Sequence, residues 1–293
     1  MRSREDGPLD TIARVVASAV RVDADGRGRV DAPRALQSWP GIVHGGGAVA
    51  LLDAAAQALG VRDGPRVLEA RLTSSLPLET PLDLDTRAGD GAMALTVLQG
   101  GQTLTSGVIR ALDADDRAAP RWWGGGDGLA LPMSEDCLAC GAGNPVGLRV
   151  ALRFDDAGVW ARLVPGAAWR AAGGRLHAGL APVLLDEVAW WLGALVAKEG
   201  GLTNRIDVTL FAPDAPWGEP LVAAGRFEDV RPVDRKRTFW RTESALMTEA
   251  GALLASASVV FRGGADYSAR QMAYFQRRTP PDVFRRMFPN HVG

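Results

Sequence analysis

The residues best suited to chemistry come in two matched sets. His44 is followed nine residues later by Asp53, in His44-Gly-Gly-Gly-Ala-Val-Ala-Leu-Leu-Asp53. His177 is followed by Asp186 at the same spacing, in His177-Ala-Gly-Leu-Ala-Pro-Val-Leu-Leu-Asp186. Both copies carry a glycine two residues after the histidine, Gly46 and Gly179. With only 3 histidines in the chain, two in one register mark an internal repeat. Imidazoles and carboxylates are the usual general acids and bases. The aspartates are the more informative members. From Gly45 to Leu59 the only polar side chains are Asp53 and Gln57, and from Ala178 to Ala197 only Asp186 and Glu187. A carboxylate on so apolar a segment is costly unless paired or used, and burial would raise its pKa toward the range of a working base. Glu187 has a blander reading, reaching solvent or pairing with an arginine.

Each set opens a segment that reads as a helix apolar all round, which a sheet must cover on every side. The glycine-rich entries suit a close approach of backbone at the helix start. Pro182 is compatible with a helix only in its first turn, so the second helix begins near Gly179–Ala181. Alternating runs follow both helices: Val67 to Leu72, Met93 to Gln99 and Thr103 to Leu112 in the first half; Arg205 to Leu210, Arg237 to Met247 and Leu253 to Arg262 in the second. Strand starts are marked by Pro81-Leu82 and Pro220-Leu221. Leu148, Val150, Leu152 and Phe154 alternate with Arg149 and Arg153 as in a half-buried strand. The chain is therefore α+β, with each half a long helix followed by antiparallel strands.

A helix N-terminus exposes unpaired N–H groups and a partial positive charge, suited to an oxyanion. Within one repeat the first-turn donor and the aspartate are eight residues apart, roughly 12 Å at about 1.5 Å per residue. One reacting carbon cannot touch both. The sequence thus predicts sites shared between the halves, Gly45 with Asp186 and Ala178 with Asp53.

Composition narrows the classes. The 293 residues are 47% hydrophobic and 23% charged, and Lys+Arg 33 against Asp+Glu 34 leaves a net charge of -1. That speaks against nucleic acid as a partner. The Ala178–Ala197 run is long enough to span a bilayer, but Asp186 and Glu187 at its middle argue for a buried helix and no membrane. No apolar leader precedes Arg4-Glu-Asp. The two cysteines share one Cys137-x-x-Cys140, which suits a reducing, cytoplasmic setting. As two ligands without a second pair, they read as a structural turn, with no metal expected. Arg231, Arg235, Lys236 and Arg237 form a basic run, either a solvated face or a phosphate patch. Trp190-Trp191 reads as packing or as pocket wall. No dinucleotide fingerprint, phosphate loop or serine elbow is present, and no cofactor is expected. The expected organisation is a first repeat over 1–112, a linker over 113–136 pinned by Trp122-Trp123, a second repeat over 137–262 and an Arg- and Pro-rich C-terminal extension over 263–293.

The His-Gly-Gly-x(6)-Asp helix start before an antiparallel sheet resembles the hotdog-fold acyl-CoA thioesterases of the phenylacetate type. Cys137-Leu-Ala-Cys-Gly-Ala-Gly-Asn-Pro-Val-Gly-Leu148 is similar to the entry segment found upstream of many such domains. Because both halves share the likeness, the chain resembles a double hotdog, an intrachain pseudo-dimer in one polypeptide, with further homo-oligomerisation left open. The resemblance implies hydrolysis of an acyl thioester of coenzyme A or acyl carrier protein. It implies oxyanion donors at Gly45 and Ala178, with Gly46 and Gly179 beside the substrate. Asp53 or Asp186 is the implied base or nucleophile, and His44 and His177 join the catalytic set or, on the blander reading, only orient the loops. Thr73, Ser74 or Ser75, and Thr203 or Thr209, are candidates for a hydroxyl supporting the attacking water, and Arg235 and Arg237 for the coenzyme phosphates. The chain departs from the family at Ser38 and Ala171, where an asparagine is frequent; Gln37 is the substitute nearest to hand. A hydratase or dehydratase on an enoyl or hydroxyacyl thioester, and a non-catalytic acyl-CoA-binding module, are the rival readings. No Asn-Pro-x-His segment supports the first.

Overall fold

The structure is a computed structural model that describes residues 11–61, 63–113 and 126–292. The Trp122-Trp123 pair lies outside the described residues. In chain order the helices are α1 (Ile12–Ala19), α2 (Gly45–Ala58), α3 (Leu180–Ala197), α4 (Ala265–Arg278) and α5 (Pro281–Met287). The first-half strands are β1 (Val20–Val22), β2 (Arg27–Val30), β3 (Arg66–Leu72), β4 (Leu82–Gly89), β5 (Ala92–Gln99) and β6 (Gln102–Ala111). The second-half strands are β7 (Leu129–Ala130), β8 (Arg153–Phe154), β9 (Gly158–Leu163), β10 (Gly201–Leu210), β11 (Leu221–Arg226), β12 (Arg231–Pro232), β13 (Phe239–Thr248) and β14 (Leu253–Gly263).

Among the described residues these strands make one antiparallel sheet, in the order β1-β2-β4-β5-β6-β3-β10-β14-β13-β11-β9-β8-β7, with β12 against β13. The halves meet at β3 and β10, where Leu68 pairs with Val208 and Ala70 with Ile206. Each strand follows its own half's long helix, so the seam strands anchor the helices side by side.

The two central helices begin where glycine and proline chemistry put them. α2 starts at Gly45 under an N-cap by His44, and α3 starts at Leu180 with Pro182 in its first turn. Both are buried nearly all round. Leu180–Asp186, Val188, Ala189 and Trp191–Leu195 of α3 are all covered, so its membrane-like length and hydropathy belong to a core helix. Gly46 faces Pro182 and Val183, and Gly179 faces Ala50, so the helices run antiparallel along their first turns. A Cβ on Gly46 would sit 2.1 Å from the Pro182 carbonyl oxygen. Only glycine allows the helices this close.

One stretch differs from the sequence reading, and a second is given its structure by the fold. Leu148, Val150, Leu152 and Phe154 are buried while Arg149 and Arg153 are exposed, yet only Arg153–Phe154 is strand. Arg149 has φ 54, which breaks the ladder, and the Leu148 and Val150 N–H groups bond instead to the Leu138 and Ala139 carbonyls. The segment after residue 262 is helical. α4 lays Phe275 and Tyr274 against Trp39 and Phe275 against Trp190 and Trp191. Gln271 bonds the Gly201 N–H and carbonyl, tying α4 to the first residue of β10.

Candidate functional site

Asp186 projects from α3 onto the start of α2. Its Oδ2 accepts the Gly46 N–H at 2.9 Å, and its Oδ1 accepts the Thr203 hydroxyl at 2.6 Å. A Cβ on Gly45 would fall 2.6 Å from Oδ2, so the glycine entry of α2 also makes room for this carboxylate. The contact crosses between halves. Burial raises the Asp186 pKa, against the lowering effect of His44, Thr203 and the Gly46 N–H.

His44 lies on the other side of the carboxylate. Its Nδ1 is 3.3 Å from Asp186 Oδ2 and its Nε2 is 3.2 Å from Glu187 Oε2. The Gly46 N–H lies 3.2 Å from Nδ1, but its contact to Asp186 is shorter. With Nδ1 protonated, the ring itself donates to Asp186. Burial alone would lower the His44 pKa, but hydrogen bonds with Cys137 and Glu187 carry it well above the usual imidazole value. Glu187 pairs with this histidine rather than with solvent or an arginine.

The Cys137–Cys140 turn closes the same wall. Cys137 Sγ is 3.9 Å from Glu187 Oε2 and accepts the Ala139 N–H at 3.3 Å. A hydrogen bond with Cys140 chiefly lowers the Cys137 thiol to about 7, with further help from His44, while the same contact and burial raise Cys140. Asn144 holds the turn in place through the Ala35 and Asp136 carbonyls. A Cβ on Gly141 would meet the Cys137 carbonyl oxygen at 2.3 Å. That close approach accounts for the glycine after Cys140 in the entry segment.

These groups line a cavity of about 370 Å³, within the range of small-molecule sites. Trp39, Trp190, Leu72, Leu202 and Phe275 supply apolar wall; Ser38, Thr73, Ser74, Asn204 and Arg262 supply polar edge. Thr105 also lines it. Its hydroxyl is fully buried and lacks a hydrogen-bond partner among the described residues, leaving a donor for whatever enters. Of the hydroxyls offered by the sequence, Thr203 meets the carboxylate. Thr73, Ser74 and Ser75 lie elsewhere on the wall, and Thr209 faces Val67 across the β3–β10 seam. Gln37 is buried and bonds the Gly41 N–H.

The second copy is built differently. Asp53 receives a bidentate ion pair from Arg66, with Nε to Oδ1 at 2.8 Å and Nη2 to Oδ2 at 2.6 Å. Gln57 adds a third donor at 2.9 Å. Arg66 is 1% exposed, so this carboxylate is fully paired. A cavity of about 420 Å³ runs past Asp53, His177, Ala178 and Gly179, and His177 Nδ1 accepts the Gly179 N–H at 3.1 Å. Burial lowers the His177 pKa, with Asp53 and Asp63 opposing and Arg66 adding to it. The two expected sites thus differ: the pattern repeats, but among the described residues Arg66 has no counterpart at Asp186. Arg235 and Arg237 are absent from both cavity walls. Arg237 instead stacks its guanidinium over Trp240, 4.9 Å from the ring centroid. Arg262, at the mouth of the first cavity, was missed because it reads as the polar end of a strand.

No protein-family model matches the sequence, and no curated protein does. Solved structures do. A conserved protein of unknown function with a hotdog fold from Alicyclobacillus acidocaldarius matches 87% of this chain and 99% of its own, at 16% identity and TM-score 0.61. The chain has the hotdog fold. A putative thioesterase II from Thermobifida fusca YX matches this hotdog chain over 85%, and 98% of its own length, at 16% identity and TM-score 0.59. The dehydratase domain of RzxB from Pseudomonas fluorescens matches 84% and 98%, at 16% identity and TM-score 0.54. At these identities the likeness fixes the hotdog architecture, an antiparallel sheet around apolar helices.

Proposed function

We propose that this chain is a double hotdog that hydrolyses an acyl thioester, most simply an acyl-coenzyme A, at a single site built from Asp186 and the start of α2. The observation that carries the reading is the buried Asp186 carboxylate, held by Thr203 and Gly46 at the edge of a half-apolar cavity and with no arginine partner among the described residues. The thioester carbonyl docks at the first turn of α2. Gly45, its first residue, has an N–H beyond the reach of intrahelical acceptors. Asp186 takes a proton from water as the oxygen adds to the carbonyl carbon. The negative charge that develops on the carbonyl oxygen is met by the helix N-terminus. Collapse breaks the C–S bond, and the thiol leaves with the proton that Asp186 accepted. The acyl group fits the aromatic wall of Trp39, Trp190 and Phe275. Asp53, paired with Arg66, serves the fold rather than the reaction, and His177, Ala178 and Gly179 then mark a second cavity whose carboxylate is held by an arginine.

One observation supports hydrolysis over binding alone: a buried carboxylate with no arginine partner among the described residues, held at the start of a helix by Thr203 and Gly46. A second reading has its own support. His44 and Asp186, drawn together from opposite halves at 3.3 Å, form the kind of imidazole–carboxylate pair that a dehydratase would use, and two structural neighbours are dehydratases. One experiment separates them. The purified chain is incubated with saturated, 3-hydroxyacyl and enoyl coenzyme A thioesters while free thiol and enoyl absorbance are followed together. Thiol release from saturated substrates supports hydrolysis. Interconversion of hydroxyacyl and enoyl thioesters without thiol release would replace it.

A further inference from the structure

The sequence offers two thiols in one turn and no second pair of metal ligands. The fold supplies the missing ones. His44 comes from the N-cap of α2 and Glu187 from the second turn of α3, and both converge on the Cys137–Cys140 turn. The ligand atoms of His44, Cys137 and Glu187 all lie within 4.8 Å of one another. Nε2 of His44 and Oε2 of Glu187 are 3.2 Å apart, and Cys137 Sγ and Glu187 Oε2 are 3.9 Å apart. Around a tetrahedral zinc, with bonds of about 2.0–2.3 Å, neighbouring ligand atoms stand about 3.3–3.8 Å apart. We propose that His44, Cys137 and Glu187, completed by Cys140, form a zinc-class metal site that fastens the starts of both central helices to the cysteine turn.

The surroundings are those a metal site needs. Backbone donors face both sulfurs, Ala139 N–H at 3.3 Å on Cys137 and Ser134 N–H at 3.4 Å on Cys140, stabilising thiolates. Cys140 shares the turn and is in hydrogen-bonding contact with Cys137, which makes it the nearest candidate to complete the set of His44, Cys137 and Glu187. The thiol protons leave for solvent as the bonds form. All four side chains line the cavity, which gives the ion an entry path. An imidazole bound through Nε2 must carry its proton on Nδ1, and Nδ1 faces Asp186 Oδ2 at 3.3 Å. This is the carboxylate–histidine–metal arrangement in which the outer carboxylate fixes the ring. The metal would fix the His44 tautomer, so that the ring donates to Asp186 and leaves the Gly46 N–H wholly to that carboxylate. This proposal does not depend on the reaction assigned to Asp186.

The test reads metal and spectrum, never turnover. The full chain, purified under reducing conditions after growth with added zinc, should carry about one zinc per molecule. Cys137→Ser should carry less than a tenth as much. Because that variant risks misfolding, the parent chain is also stripped with a chelator and titrated with cobalt. The expected result is a thiolate-to-cobalt charge-transfer band with the strong visible bands of tetrahedral cobalt, saturating at one equivalent. Both cysteines should also resist alkylation once zinc is restored. A parent chain that holds no zinc as isolated, and whose cobalt titration gives no charge-transfer band, overturns the site. So does a band that persists unchanged in a folded Cys137→Ser chain.

Discussion

The Gly46 N–H of one half donates to the Asp186 carboxylate of the other across 2.9 Å. This contact exists because Gly46 has no side chain. Its α-carbon rides against the Pro182 carbonyl, where a methyl group would overlap the oxygen at 2.1 Å. Gly46→Ala should therefore push the helices apart, costing on the order of 1–3 kcal/mol of stability and far more activity than stability. Urea unfolding and thioester hydrolysis on the same preparation check this. A Gly46→Ala chain as stable and active as the parent would mean that the helix contact is not what places Asp186.

Thr203 should matter to the reaction more than to the fold. Its hydroxyl donates to Asp186 Oδ1 at 2.6 Å, and a hydrogen bond to a charged group is worth about 1.5–3 kcal/mol. Thr203→Val should lower kcat by roughly tenfold or more, while Thr203→Ser keeps most of it. Equal loss in both variants would point to packing at Thr203 instead of hydrogen bonding.

Thr105 makes a complementary prediction for binding. A buried hydroxyl without a partner is costly in the free protein, so Thr105→Val should raise stability slightly or leave it unchanged. The same variant should raise KM for the substrate that uses the hydroxyl. A fall in stability with KM unchanged would show that the hydroxyl is satisfied in some other way.

His177 should impose an acid limit on stability. Burial depresses its folded pKa below the ordinary value of 6.5, despite the opposing pull of Asp53 and Asp63. The folded chain therefore favours the neutral ring. That contribution is complete above the unfolded value of about 6.5 and is lost as pH falls below it toward the lower folded value. His177→Asn retains an oxygen to accept the Gly179 N–H but cannot titrate. Its urea midpoint should fall less than the parent's between about pH 7.5 and about pH 5.5. A parallel fall in both chains would assign the acid sensitivity to other groups.

Much of this architecture was legible in the residues, and the parts that were not share a cause. The duplicated His-to-Asp spacing gave both core helices, and Pro182 located the start of α3 to within a residue. The length of the helix between donor and carboxylate pointed to contact across the halves, and Asp186 does lie at the start of α2. Arg66 was not legible as the partner of Asp53. In the sequence it is one arginine among many, thirteen residues away, and only the fold of β3 beside α2 brings its guanidinium to the carboxylate. The convergence of His44 and Glu187 on the Cys137 turn was hidden for the same reason. Periodicity records which face of an element is buried, but not which polar groups from distant elements share that burial. Arg235 and Arg237 lie apart from the two cavities. Clustered charge reads in the sequence as a solvated face or a phosphate patch, and the turn between β12 and β13 places it outside both cavity walls.

Central to the proposed function is that the two aspartates, alike in sequence, have parted in role. It is tested by hydrolysis of acyl-coenzyme A by Asp186→Asn and Asp53→Asn measured side by side, each with its urea unfolding curve. Asp186→Asn should lose at least about a hundredfold in kcat, the usual scale for a general base, and keep its fold. Asp53→Asn should leave a buried guanidinium poorly paired, costing about 3–5 kcal/mol of stability, while the folded fraction turns over at close to the parent rate. Full activity in Asp186→Asn, or a loss of turnover in folded Asp53→Asn as deep as in Asp186→Asn, would contradict it.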